Sequence, residues 1–235
     1  MKHLVLICAA AALAACSSPG SSASSTASTA PDAATTAAPV AVNVPAGVYT
    51  NDKAHSSLIF RISHMGYSHV TARFTKWDAQ LHLEPANLSA STVSATIDPR
   101  SLDADNPPAG FLDQLRGPQW LDAAHYPQMS FRSTSVTPIG PNTARIVGDF
   151  TLHGVTKPVT LDARFNGGYP GMELDPHARA GFSAHGVLKR SDFGISSFIL
   201  PPNSNMGVGD DIEIIIESEF SGPAWHAPAP PQQQH

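Results

Sequence analysis

The strongest constraint on this chain is a hydrophobic period of two. In residues 56–64, SSLIFRISH, the side chains of Leu58, Phe60, Ile62 and His64 share one face of an extended chain, and Ile59, Arg61 and Ser63 share the other. The same alternation returns in PVTLDARF, where Val159, Leu161, Ala163 and Phe165 oppose Thr160, Asp162 and Arg164. In DIEIIIESEF it sets Ile212, Ile214, Ile216 and Phe220 against Glu213, Glu217 and Glu219. Each run predicts a strand with one dry face. Between Phe74 and Trp77 the phase slips, since Val70, Ala72 and Phe74 are in step while Trp77, Ala79, Leu81 and Leu83 continue on the opposite parity. A bulge or tight turn at Thr75 and Lys76 accounts for the slip.

Further strands are expected over 91–98, 128–137, 143–153 and 179–189, joined at short intervals by Gly, Pro, Asn and Asp. The single helical candidate is AGFLDQLR, 109–116, where Phe111, Leu112 and Leu115 share a face. The expected fold class is therefore all-β, a sandwich or barrel with one short helix between strands. The segment GDFTLHGVTKPVTL reads as a hairpin, with Gly154 easing the turn and Pro158 following it.

The chain opens MKHLVLICAAAALAAC, a lysine and a short apolar run leading through small residues to a cysteine. This is the layout of a secretory signal rather than a membrane-spanning helix. Leu13, Ala14, Ala15 and Cys16 resemble a bacterial lipobox, which makes 1–15 a signal peptide and Cys16 the lipid-carrying first residue of the mature chain. Ser17 then resembles the lipoproteins sent to the outer membrane, and the expected location is the periplasm, anchored there. Residues 16–45, rich in Ser, Ala, Thr and Pro, predict a disordered tether spanning roughly 30 Å, and 222–235 a disordered Pro- and Gln-rich tail. The domain expected between them is 46–221.

Composition excludes some chemistries. The other cysteine, Cys8, lies in the signal, so neither a disulfide nor a Cys-based metal site is expected in the mature chain. Fourteen basic residues are scattered over a net charge of −5, which argues against a nucleic-acid partner. Eleven histidines, with His55, His64, His69 and His82 in one stretch, raise the question of a metal. No His-x-x-x-His occurs, and no carboxylate shares the parity of His64 at neighbouring inward positions. The histidines therefore read as structural, without carboxylates beside them, and no metal or catalytic residue is expected. Adjacent His55 and Ser56 point to opposite faces and cannot form a dyad, no Gly-x-Ser-x-Gly elbow is present, and SDFG at 191–194 stands alone. Whether so many aromatic residues fill the barrel or line a cavity, composition leaves open.

The segments DKAHSSLIFRISHMGYSHVTARF, VSATIDPRSLDADN, LRGPQWLDAAHYPQMSFRSTSV, GDFTLHGVTKPVTLD and KRSDFGI, taken in order and spacing, resemble the YceI-like family, the polyisoprenoid-binding proteins of the bacterial periplasm. The resemblance covers 47–220. It departs from the family pattern at Ala72, where Gly is usual, and at PPAGFLDQL before and within the helix. It implies an extended antiparallel barrel of lipocalin type whose long apolar lumen takes up an isoprenoid chain, either a polyisoprenoid or an isoprenoid quinone, with no catalytic cofactor. Expected ligand-binding residues are Leu58, Phe60, Ile62 and His64 on the first strand, then Phe74, Trp77, Phe111, Leu115, Trp120, Phe131, Phe150 and Phe182. The alternative classes are an enzyme handling a metal or proton through His55, His64 and His69, and a structural envelope protein with a solid core. The sequence names no protein partner and leaves the oligomeric state open.

Overall fold

A computed structural model describes residues 43–199 and 206–226. Ten strands form one antiparallel sheet: β1 (Gly47–His64), β2 (Ser68–Phe74), β3 (Trp77–Leu83), β4 (Thr92–Ile97), β5 (Leu102–Ala104), β6 (Met129–Gly140), β7 (Thr143–Leu152), β8 (Val155–Tyr169), β9 (His177–Lys189) and β10 (Val208–Ala224). The sheet order is β10-β9-β8-β7-β6-β4-β3-β1-β2-β5, and β10 also pairs with β1, which closes the barrel. Closure removes the unpaired edges that an open sheet would expose.

Ten strands make only eight staves. β2 and β3 both run antiparallel to β1, β2 against its second half (Ile59 opposite Arg73) and β3 against its first (Thr50 opposite Gln80). They are one stave broken at Thr75 and Lys76, where the alternation slips. β4 and β5 form a second broken stave, interrupted by a 3-10 turn at Pro99–Ser101 and capped by the Asp98 carboxylate, which accepts from the Arg100 N–H.

The β7–β8 connection is a two-residue hairpin. Leu152 pairs with Val155, and His153 and Gly154 both take positive φ, 52° and 74°, the geometry that matches the twist of paired strands. A side chain at position 154 would also strike the Tyr126 ring, so glycine is required there twice over. The hairpin reading of this segment holds.

One end of the barrel carries both chain ends of the domain, where β1 starts and β10 finishes; this is the terminal end. The other carries helix α1 (Phe111–Arg116), the β7–β8 hairpin and the 190–199 segment; this is the helical end. At the terminal end Tyr49 is completely buried beside Val44, Phe165, Ala178 and Phe220. Its hydroxyl donates to the Pro45 carbonyl at 2.7 Å, and burial pushes its pKa up to about 12. Beneath the ring lies Gly222, where any Cβ would sit 2.1 Å from a Tyr49 carbon.

These contacts move both expected domain boundaries. Val44 belongs to the core although it falls in the expected tether. β10 continues three residues into the expected tail, with Ala224 opposite His177 and the Trp225 N–H donating to the Pro176 carbonyl. The low apolar content of both segments misled the reading, because a single Val and a Gly that fits under a ring are enough to dock them. Cys16, the signal and the tether up to residue 42 lie outside the described residues.

Candidate ligand-binding lumen

The inner face is built from the alternation. In the β1–β10 pairing, Leu58, Phe60 and Ile62 stand opposite Ile216, Ile214 and Ile212. Outside, the intervening Arg61 and Glu213 form an ion pair at 3.0 Å. Comparable outward pairs join Arg145 to Asp162 and Arg73 to Asp103 across neighbouring strands. Such exposed pairs contribute little to stability, but they keep the outer face wet and the inner face dry.

The barrel is hollow. A cavity of about 620 Å³ runs inside it, and its walls are overwhelmingly apolar. Leu58, Phe60, Ile212, Ile214 and Ile216 point inward yet are only half-buried, because part of each side chain faces this space. Phe60 and Phe74 lie against each other with ring centroids 5.6 Å apart. The question that composition left open is thus answered by geometry, and the solid-core alternative falls.

All twelve side chains expected at the site line this cavity. Leu58, Phe60, Ile62 and His64 come from β1, Phe74 and Trp77 from the two parts of the broken stave, and Phe131, Phe150 and Phe182 from β6, β7 and β9. Phe111 and Leu115 come from α1 and Trp120 from the turn after it. Phe131 can lie flat on the wall because its neighbour on β7 is Gly148, where a Cβ would meet the ring at 2.3 Å. Phe193 is different: it is buried outside the lumen, edge-on to Phe150.

Besides His64, the helical end holds a buried charge that the sequence reading missed. Arg190 lines the lumen and is 3 % exposed. Its guanidinium donates from Nε to the Gly209 carbonyl, from Nη1 to Ile195 and Ser197, and from Nη2 to Val208, at 2.8 to 3.1 Å. Burial lowers its pKa, with the Asp210 carboxylate opposing that shift. Asp210 itself accepts from the N–H and hydroxyl of Ser191, which fixes the SDFG turn. Arg190 lies over the Trp120 ring, 5.2 Å from its centroid, and Phe198 stacks on Trp120 at 6.1 Å. A lone Arg after a strand gives no signal of this in the sequence.

A second correction concerns the histidines. His55 does have carboxylates beside it: its Nδ1 is 3.0 Å from Asp52 and 3.9 Å from Glu219. Between Asn51 and Ser56 the β1 register shifts against β10, so Asp52 and His55 bulge to the outside, and barrel closure brings in Glu219 from the far end of the chain. Among the described residues this is the one cluster of three potential metal ligands, within 4.8 Å of one another. A cation already sits in it, since Arg179 Nη1 is 3.2 Å from Asp52 while its Nε donates to Asp175. The hydrogen bond to Asp52 raises the His55 pKa, and the same bond lowers that of Asp52. The arrangement braces the seam as an ion network.

A closed antiparallel barrel with a long apolar lumen is the architecture of a lipocalin-like binding protein. Comparison with known proteins gives the family: residues 49–220 match the YceI-like domain, and the chain belongs to that family. A UPF0312 protein of Vibrio cholerae is 37% identical over 162 residues, which cover 69% of this chain and 84% of that one. A UPF0312 protein of Pseudomonas savastanoi is likewise 37% identical over 162 residues. Among solved structures, Burkholderia cenocepacia BcnA superposes with a TM-score of 0.61 at 25% identity, covering 72% of this chain and 98% of that one. A polyisoprenoid binding domain from Saccharophagus degradans, implicated in plant cell wall breakdown, shares the fold at a TM-score of 0.50 and 12% identity.

Proposed function

We propose that this barrel binds a long apolar isoprenoid lipid, a polyisoprenoid or an isoprenoid quinone, and carries or sequesters it without transforming it. The observation that carries this reading is the apolar cavity of about 620 Å³, well within the size of natural ligand sites. Apolar area removed from water gains about 25 cal/mol per Å², so a flexible hydrocarbon chain with few polar atoms is the occupant such a lumen favours. The polyisoprenoid binding domain of the same fold supports the choice of chain.

The non-enzymatic part of the reading rests on the character of the lumen wall, which offers a potential ligand a surface of hydrocarbon. The enzyme alternative draws on His55, His64 and His69, but the structure scatters them: His55 lies outside the lumen in a network that already holds Arg179, His64 is in the lumen wall, and His69 stands opposite Ser63 on the outer face. In the cell, the lipobox-like segment ending at Cys16 would hold the domain at the outer membrane on the periplasmic side.

Two experiments test this. Protein purified from the envelope and extracted with organic solvent should yield a prenyl lipid in stoichiometric amount by mass spectrometry. An empty protein that also refuses long prenyl chains on reconstitution would overturn the carrier reading. Cys16→Ser should move the protein from membranes to the soluble periplasm, and retention after a carbonate wash would overturn the anchor.

A further inference from the structure

The outer face of the barrel carries a group of side chains that a lipid in the lumen would not touch. Asp52 and His55 stand on the bulge of β1 and Glu219 on the facing strand β10, at the seam where the barrel closes. One donor atom from each, the imidazole nitrogen and two carboxylate oxygens, lies within 4.8 Å of the other two. Strand pairing fixes the backbones on both sides of the bulge, with Asn51 opposite Phe220 and Ser56 opposite Ser218. The Ser56 hydroxyl ties them again, bonding to the Ser218 hydroxyl and donating to the Glu219 carbonyl. The three donors are therefore held by a sheet rather than by a loop.

Charge on this face is out of balance. In the contact series Glu219, His55, Asp52, Arg179, Asp175, three carboxylates meet one permanent cation. Arg179 gives Asp175 two bonds, from Nε and Nη2, and gives Asp52 one, from Nη1 at 3.2 Å. The Tyr169 hydroxyl also donates to Asp175, so that carboxylate is well satisfied. Glu219 is not: among the described residues the nearest partner of its carboxylate is His55 Nδ1, at 3.9 Å. That separation is too long for a hydrogen bond. It is close to the roughly 3.4 Å that separates two ligand atoms on one tetrahedral zinc.

We propose that Asp52, His55 and Glu219 bind a divalent transition ion of the zinc type, which clasps the bulge of β1 to β10 across the seam. The ion takes the place of the Nδ1 proton: it uses the same lone pair and the same two carboxylates, and brings twice the charge to a face short of cations. One imidazole with two carboxylates suits zinc and its neighbours, whereas calcium and magnesium take oxygen ligands alone. Arg179 keeps its bond to Asp52 and orients that carboxylate, as the outer partners of metal ligands do. The role is structural. The ligands come from opposite ends of the domain sequence, so an ion that binds only the closed barrel stabilises closure by mass action.

The test uses the full chain stripped with a chelator and titrated with zinc chloride by calorimetry, at a pH where imidazole is neutral. The wild type should take up one ion per chain and melt higher with zinc than without. His55→Ala and Glu219→Gln should each weaken binding by about tenfold or more, while His177→Ala, on the nearby start of β9, should leave it unchanged. A second readout needs no variant: cobalt(II) added to the wild type should broaden the backbone amide resonances of 52–55 and 219 before any others. Absence of zinc binding in the wild type, binding that survives both substitutions, or broadening centred elsewhere would overturn the site. Calcium binding as tight as zinc binding would overturn the class of ion.

Discussion

Tyr49 and Phe60 sit on the same strand and point into the same barrel, yet they live in different surroundings. Tyr49 is fully enclosed, its ring pressed on Gly222 and its hydroxyl tied to the Pro45 carbonyl. Phe60 is only half-buried, with Phe74 on one side and the cavity beyond. Between them the bulge at 52–55 shifts the strand so that odd residues face inward before it and even residues after it. The difference teaches a division of labour: the terminal half of β1 is core, and the half after the bulge is wall. Close packing gives the core its stability. The wall gives up those contacts, and on the proposed function a bound chain would restore them.

The largest effect that bears on this contrast is truncation of each ring. Tyr49→Ala removes a fully packed aromatic side chain and should cost about 3–5 kcal/mol. Phe60→Ala should cost less than half of that, because the ring loses fewer neighbours and merely widens an existing cavity. Urea denaturation of the lipid-free protein compares the two directly. Equal losses would mean that the interior is one continuous core and that the division is false.

Polarity sharpens the contrast where truncation cannot. Phe60→Gln places an amide where the proposed prenyl chain would lie, and an amide buried beside hydrocarbon without a partner costs about 1–3 kcal/mol. Lipid uptake should therefore collapse. The empty barrel should melt only slightly lower, because water entering the cavity can solvate the amide. Arg61→Gln is the control: it points outward to Glu213, and an exposed pair of this kind contributes about 0–1 kcal/mol. Lipid recovery and thermal melting on the two variants should separate them cleanly. Equal lipid loss in both would show that strand parity does not define the wall.

How much of this could be read from the residues follows from the same contrast. Alternation is local, so the wall strands could be read: Leu58, Phe60 and Ile62, their partners Ile212, Ile214 and Ile216, and the break at Thr75 and Lys76 all show in the period of two. The bulge could not be read, because Asp52, Lys53, Ala54 and His55 look like any polar strand until β10 closes on them. At the helical end Phe111, Leu115 and Trp120 could be named, but the polar cluster around Trp120 could not, for another reason. Trp120, Arg190 and Phe198 come from three separate positions, and only their contact makes a site. The domain edges failed because composition counts residues while docking depends on fit, as Gly222 under Tyr49 illustrates.

The smallest expected effect is at the bulge that separates the two regions, and it appears as a pH dependence. His55 gains a hydrogen bond and an attractive charge from Asp52, with Glu219 adding to the pull and Arg179 opposing it, so its pKa is raised on folding. A cationic group with a raised folded pKa contributes stability that is complete below the ordinary imidazole range. That contribution is lost as pH rises through the raised value. Asp52 works in the opposite sense: its pKa is lowered, first by His55, so its contribution is present above the ordinary carboxylate range and lost in acid. The pair therefore braces the seam best in the window between the two. Melting should be slightly higher near pH 5 than near pH 8, and His55→Gln should flatten that slope without changing lipid uptake. Because the groups are exposed, salt should also flatten it. A slope that survives His55→Gln would place the pH sensitivity elsewhere. If His55→Gln instead abolished lipid uptake, the bulge would be coupled to the wall, and the boundary drawn between core and lumen would have to move.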